Sequence, residues 1–144
     1  MTTTRARASL AVATAFASMV ISTFTWMPGA PTAHGSPLDQ PRNEVANLRR
    51  GGTQCPPLSY QSALENMAQN YARTENVASL NGGYHGYTTG FLGSGDPALQ
   101  ATDSAISKAV PGIEDCSNTD YGVGFVRHDD RSVDVVPIVF GRAA

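Results

Sequence analysis

The sequence predicts an α+β fold in which helices pack on a small antiparallel sheet ending in a C-terminal hairpin. Three observations predict it. From Asp120 to Gly141, two β-rich runs flank a polar turn. Tyr121, Val123 and Phe125 alternate with Gly122, Gly124 and Val126, and Val133, Val135, Val136, Ile138, Val139 and Phe140 form the second run. A two-stranded hairpin is marginal alone in water, so it needs an apolar cover. Upstream, two stretches with apolar residues at helical spacing supply that cover. Finally, Cys55 and Cys116 are the only cysteines, placed to tie the entry of the longer helix to the foot of the hairpin.

The first 35 residues stand apart. Arg5 and Arg7 form a basic start, Ala8 to Met27 is uncharged and mostly apolar, Pro28-Gly29 breaks it, and Ala33-His34-Gly35 places small residues before Ser36. This is the three-part pattern of a secretory signal peptide over residues 1–35. A retained anchor is the rival, but Thr14, Ser18, Ser22, Thr23 and Thr25 dilute the apolar run and helix breakers follow it at once. Cleavage leaves residues 36–144 as a single domain with no further stretch near membrane-spanning length. Export places the two cysteines in an oxidising compartment, where a bridge is expected. In the chain-entropy account, closing a loop of about 60 residues contributes on the order of 4 kcal/mol. Losing Arg5 and Arg7 from ten Lys and Arg leaves eight cations against twelve Asp and Glu. With no basic patch, nucleic acid is not an expected partner.

The elements follow in order. Asp39 or Asn43 is expected to cap a short helix from Glu44 to Arg50, with Arg49 and Arg50 in the last turn, where cations suit the helix dipole, and Gly51-Gly52 as its stop. Thr53 to Pro57 is a rigid connector, since Pro56 and Pro57 forbid helix. A Ser59 cap then opens the main helix to about Ser79, with Leu64, Met67, Ala68, Tyr71 and Ala72 inward and Leu58 stapling its first turn. Asn81 to Asp96 is rich in glycine and aromatics; within it Tyr87 to Leu92 forms either a third strand, weakened by Gly86 and Gly90, or part of a functional loop. Asp96 as cap and Pro97 in the first turn open a helix through Val110, with Leu99, Thr102, Ile106, Ala109 and Val110 inward and Pro111-Gly112 ending it.

Few residues suggest chemistry. His85 is the weak candidate for a metal ligand or base, but zinc needs three or four donors, no second His lies nearby, and the cysteines are better used in the bridge. Gly93-Ser94-Gly95-Asp96 lacks the spacing of a nucleophile elbow. His128-Asp129-Asp130 reads as a solvated turn neutralised by Arg127 and Arg131 rather than a calcium site, which needs six or more oxygens. No catalytic residue, metal site or cofactor is assigned. Tyr84, His85, Tyr87 and Phe91 are the candidate ligand-binding residues: tyrosine offers apolar area with a polar handle, and the bland alternative is that these side chains complete the core.

Two regions carry a resemblance. Val45-Ala46-Asn47-Leu48-Arg49 through Leu58-Ser59-Tyr60, Leu64 and Ala68-Gln69, together with Tyr121-Gly122-Val123-Gly124 and Val139-Phe140-Gly141, are similar to the opening helix and final strands of the CAP superfamily (cysteine-rich secretory proteins, antigen 5, pathogenesis-related 1) in a small bacterial secreted form. The resemblance implies an α-β-α sandwich. The family's groove commonly holds two His and two Glu. Of these only His85 has a counterpart here, and the helix from Pro97 to Val110 supplies no Glu. The implied function is a secreted, monomeric, non-catalytic CAP-like (SCP) domain at the cell envelope or outside it, binding a lipid, a small apolar ligand, or an envelope or host protein. The alternatives are a hydrolase using His85 with a nearby carboxylate, and a structural envelope protein.

Overall fold

The computed structural model describes residues 35 to 144; the expected signal peptide lies outside the described residues but for Gly35. The elements are helix α1 (Asp39–Gly52), strand β1 (Ser59–Tyr60), helix α2 (Ser62–Thr74), a 3-10 turn (Val77–Leu80), strand β2 (Gly86–Gly95), helix α3 (Ala98–Glu114), and strands β3 (Asp120–Val123), β4 (Val126–His128) and β5 (Val133–Ala143). The sheet order is β1-β3-β5-β2, with β4 also on β5. All pairings are antiparallel except the short β1 on β3, so the sheet is largely antiparallel, with one parallel edge pair.

Strand β5 is the spine, buried from Asp134 to Gly141. Its period-two alternation divides the core. Val136, Ile138 and Phe140 face α1 and α3, joining Val45, Ala101, Ala105, Ala109, Ile113, Tyr121 and Val123. Val139 faces the other way, onto Leu64, Met67 and Ala68 of α2. The expected α-β-α sandwich is therefore present, with α1 and α3 on one face and α2 on the other.

Small residues set how closely the layers approach. A Cβ on Gly93 of β2 would lie 2.2 Å from the Ala105 nitrogen of α3, and one on Gly122 of β3 would lie 2.3 Å from the Glu65 nitrogen of α2. Glycines expected to weaken β2 instead let α3 lie directly on it, and the strand runs ten residues, Gly86 pairing with Ala143 and Gly95 with Asp134. This also corrects the inner face of α3. The buried stripe is Ala101, Thr102, Ala105, Ala109, Gly112 and Ile113, whereas Leu99 and Val110 are 53% and 39% exposed. Close packing selects the alanine stripe and leaves the larger side chains outside.

Several boundaries differ from expectation. Ser59 and Tyr60 form β1 rather than the start of α2, because Ser59 N and Gln61 N donate to the Thr119 and Tyr121 carbonyls. Thr74 ends α2, and Glu75 follows it in the left-handed conformation. Asp96 does not cap α3; Pro97 holds that position and Asp96 instead receives Arg127 at 2.8 Å. Helix α3 continues past Pro111 because its last turn is held from outside: Asn118 Nδ2 donates to the Gly112 carbonyl and Arg49 to that of Ile113. The run from Tyr121 to Val126 is split at Gly124-Phe125, opposite Pro137, which has no N–H to donate; Phe125 N finds Gln69 Oε1 instead.

Arg49 joins these parts. It is 1% exposed, and its guanidinium donates to the carbonyls of Pro56, Ile113, Asp115 and Asn118 at 2.8 to 2.9 Å. Burial lowers its pKa, opposed by the Asp115 carboxylate. The Cys55–Cys116 disulfide, expected from sequence, spans the same two segments with a Cα–Cα distance of 4.9 Å.

Replacing Arg49 with Met strands these buried carbonyls and is expected to cost about 3 kcal/mol or more, a fall in Tm of about 10 °C or more. Arg49→Lys should recover only part, since an ammonium cannot reproduce the planar fork. A Met variant that melts like the parent contradicts the role assigned to the guanidinium. Gly93→Ala should cost about 2 kcal/mol or more by overpacking. Gly51→Ala, with nothing within 4 Å of the added Cβ, should be neutral or stabilising by up to about 1 kcal/mol. Equal melting temperatures for these two variants would show that the β2–α3 approach is not tight.

Candidate functional site

The four expected ligand-binding residues do not converge. Phe91 lies on the α3 face, packed edge-to-face against Phe140 with ring centroids 5.9 Å apart. Tyr84 lies on the α2 face, over Gly141, and its hydroxyl donates to the Asp120 carboxylate. Tyr87 is exposed, with the Arg142 guanidinium 5.1 Å from its ring centroid. His85 is exposed, and among the described residues no carboxylate lies within ion-pair distance of it, the geometry a hydrolase would need.

Other polar candidates hold the fold together. His128 Nε2 donates to the Ala72 carbonyl at 2.8 Å, pinning β4 to the end of α2. Arg127 gathers Asp96, Asp129 and the buried Asp134, whereas Arg131 pairs with Glu75 rather than with the turn aspartates. Ser94 is exposed on β2, beside an Asp96 already engaged. Among the described residues no group of three or more His, Cys, Asp and Glu is arranged to hold a metal ion.

The open concave surface lies elsewhere, along the seam between α1 and α3. A depression of about 400 Å³ is lined by Glu44, Asn47, Leu48, Asp103, Ile106 and Ser107. Past Leu48 it continues into a recess of about 160 Å³ lined by Gly52, Thr53, Val110, Ile113 and Glu114. A wider hollow of about 570 Å³, lined by Ser36, Asp39, Gln40, Asn43, Ala98 and Thr102 among others, sits at the opposite end of the seam. The floor is apolar: Leu48 and Val110 are about 40% exposed, and Ile106 is half-buried. Sequence reasoning placed Ile106 and Val110 in the core and so missed the groove. The signal available was the alanine stripe at 101, 105 and 109, which turns the larger side chains at 106 and 110 away from the sheet.

The tyrosines carry the clearest electrostatic signature. Burial pushes the Tyr60 phenol up, and its hydrogen bond to Glu65 adds to this, although Arg42 stacks 3.9 Å above the ring. Tyr84 is raised by burial and by Asp120, and Tyr121 by burial. In the unfolded chain these phenols ionise near pH 10, so the folded state keeps protons there that the unfolded state releases. Their contribution to stability is complete below about pH 10 and is lost as pH rises above it. Denaturant melts at about pH 9 and pH 11 should show that loss, and Tyr84→Phe should diminish it; a stability flat across that range contradicts the assignment.

No protein-family profile matches the sequence, and no curated protein matches it. Among solved structures, an outer surface protein from Borrelia burgdorferi is similar in fold, with a TM-score of 0.53 at 16% identity, covering 71% of this chain and 89% of that one. MpPR-1i aligns with a TM-score of 0.48 at 18% identity, covering 72% of this chain and 91% of its own. Venom allergen-like protein 4 from Schistosoma mansoni aligns with a TM-score of 0.48 at 13% identity, covering 73% and 83%. Identity at this level shows the fold alone, a CAP-like arrangement of helices on both faces of a five-stranded sheet with β5 at its centre.

Proposed function

We propose that this chain is an exported, non-catalytic CAP-like binding domain of the cell envelope or its exterior, and that the α1–α3 groove takes a small apolar ligand, an acyl chain foremost. The observation that carries this reading is the apolar floor of Leu48 and Ile106 in a depression of about 400 Å³, the lower end of the size range of ligand sites, with exposed Val110 in the adjoining recess. Elsewhere the side chains with catalytic potential, His128, Asp96, Asp134 and Asp120, are committed to bonds that hold elements together. The leader-like residues 1–35 and the Cys55–Cys116 bridge support export.

Native mass spectrometry of the protein recovered from culture medium should show a co-purified apolar adduct, and a fluorescent acyl-chain probe should bind it. Leu48→Asp should weaken probe binding by about tenfold or more, given about 1.5–3 kcal/mol for burying a leucine side chain, while leaving the melting temperature nearly unchanged. Absence of both adduct and probe binding sinks the proposal.

A further inference from the structure

The groove has a second property that an acyl chain does not use. Three carboxylates stand along it: Glu44 and Asp103 beside the larger depression and Glu114 beside the smaller. Among the described residues none of the three forms an ion pair. Cations on the same two helices make other bonds. Arg50 donates to Asn47 Oδ1 at 2.6 Å, and Lys108 Nζ donates to the Leu92 carbonyl at 2.9 Å. The groove is therefore an apolar strip with unneutralised negative charge at both ends.

Its dimensions are those of a helix face. Asp103, Ile106, Ser107, Val110 and Glu114 follow helical spacing along one side of α3, and the eleven steps from Asp103 to Glu114 rise about 16 Å, three helical turns. Glu44 and Leu48 stand one turn apart on α1. An amphipathic helix laid in such a groove places apolar side chains on Leu48, Ile106 and Val110 at i, i+3 or i+4 and i+7. Cations flanking that apolar stripe then meet Glu44, Asp103 and Glu114, where complementary charge fixes register and speeds encounter.

We infer that the α1–α3 groove docks a cationic amphipathic helix of a partner protein, its apolar stripe on the groove floor and its Lys or Arg side chains on the three carboxylates. The inference rests on the groove being the binding face and goes beyond the acyl-chain reading: the helix would cover the same apolar floor and use the carboxylates as well.

The test uses the whole exported chain and two synthetic three-turn peptides. Both carry leucine at helical spacing, one with lysine at the flanking positions and the other with glutamate. The lysine peptide should bind, more weakly as salt rises, and the glutamate peptide should not. The triple variant Glu44→Gln, Asp103→Asn, Glu114→Gln alters groups that form no ion pair among the described residues; it should melt like the parent and lose about tenfold in affinity for the lysine peptide. Equal binding of the two peptides, salt-independent binding, or undiminished binding by the triple variant overturns the inference. Binding of the acyl-chain probe with neither peptide bound overturns it while leaving the apolar-ligand reading standing; failure of probe and peptides alike removes both.

Discussion

Burying the Arg49 side chain takes a full charge out of water, a penalty of several kcal/mol even after relaxation. Among the described residues no carboxylate hydrogen-bonds to it. The compensation is four carbonyl oxygens at 2.8 to 2.9 Å, drawn from the Cys55-Pro56 connector, the last turn of α3 and the turn leading into β3. Two of these, Ile113 and Asp115, belong to the C-terminal end of α3, where the helix dipole concentrates negative charge and favours a cation. A side chain in the last turn of α1 therefore completes the last turn of α3. The disulfide one residue from two of the acceptors acts on a different state: it restricts the unfolded ensemble, whereas the guanidinium defines the native one. Because both constrain the same joint, removing one leaves the segments still held by the other, and their effects on stability are coupled rather than additive.

That joint also shapes the surface. Leu48 precedes Arg49 on α1, so anchoring the arginine inward turns the leucine outward onto the seam with α3. On the sheet side, α3 is drawn down by alanine against glycine, Ala105 on Gly93, a contact that no larger pair can make. Helix α3 is thus held by its small face, and its larger side chains at 106 and 110 have nowhere to go but the groove. The apolar floor is a consequence of how the core is packed, so it is preformed and costs no folding step when occupied.

Much of the fold was legible because it rests on local period. Val133 to Phe140 reads as a buried strand, Leu64 to Ala72 reads as an amphipathic helix, and a chain with two cysteines has one possible intrachain bridge. What was not legible depends on distant partners. Arg49 in a last turn looks the same in sequence whether it lies in water or at the centre of four carbonyls. Ser59-Tyr60 becomes a strand only because Thr119 and Tyr121 arrive beside it. Asp96 leaves its cap for Arg127, thirty-one residues away. On α3 the ordinary rule, large apolar residues inward, failed because close approach to β2 favours small ones.

The four candidate ligand residues lie apart for the same reason. The glycine- and aromatic-rich segment attracted attention by composition, yet its glycines admit helices to the sheet, Phe91 fills core and Tyr84 binds Asp120. Each unusual feature there has a structural cause, leaving little for a ligand to explain. The reverse holds for Glu44, Leu48, Asp103, Ile106, Val110 and Glu114. None stands out in sequence, and the protein's own packing uses none of the three carboxylates in an ion pair among the described residues. These unpaired groups are collected along one groove by two helices that a buried arginine holds in register, and they are the charges the proposed helix would meet.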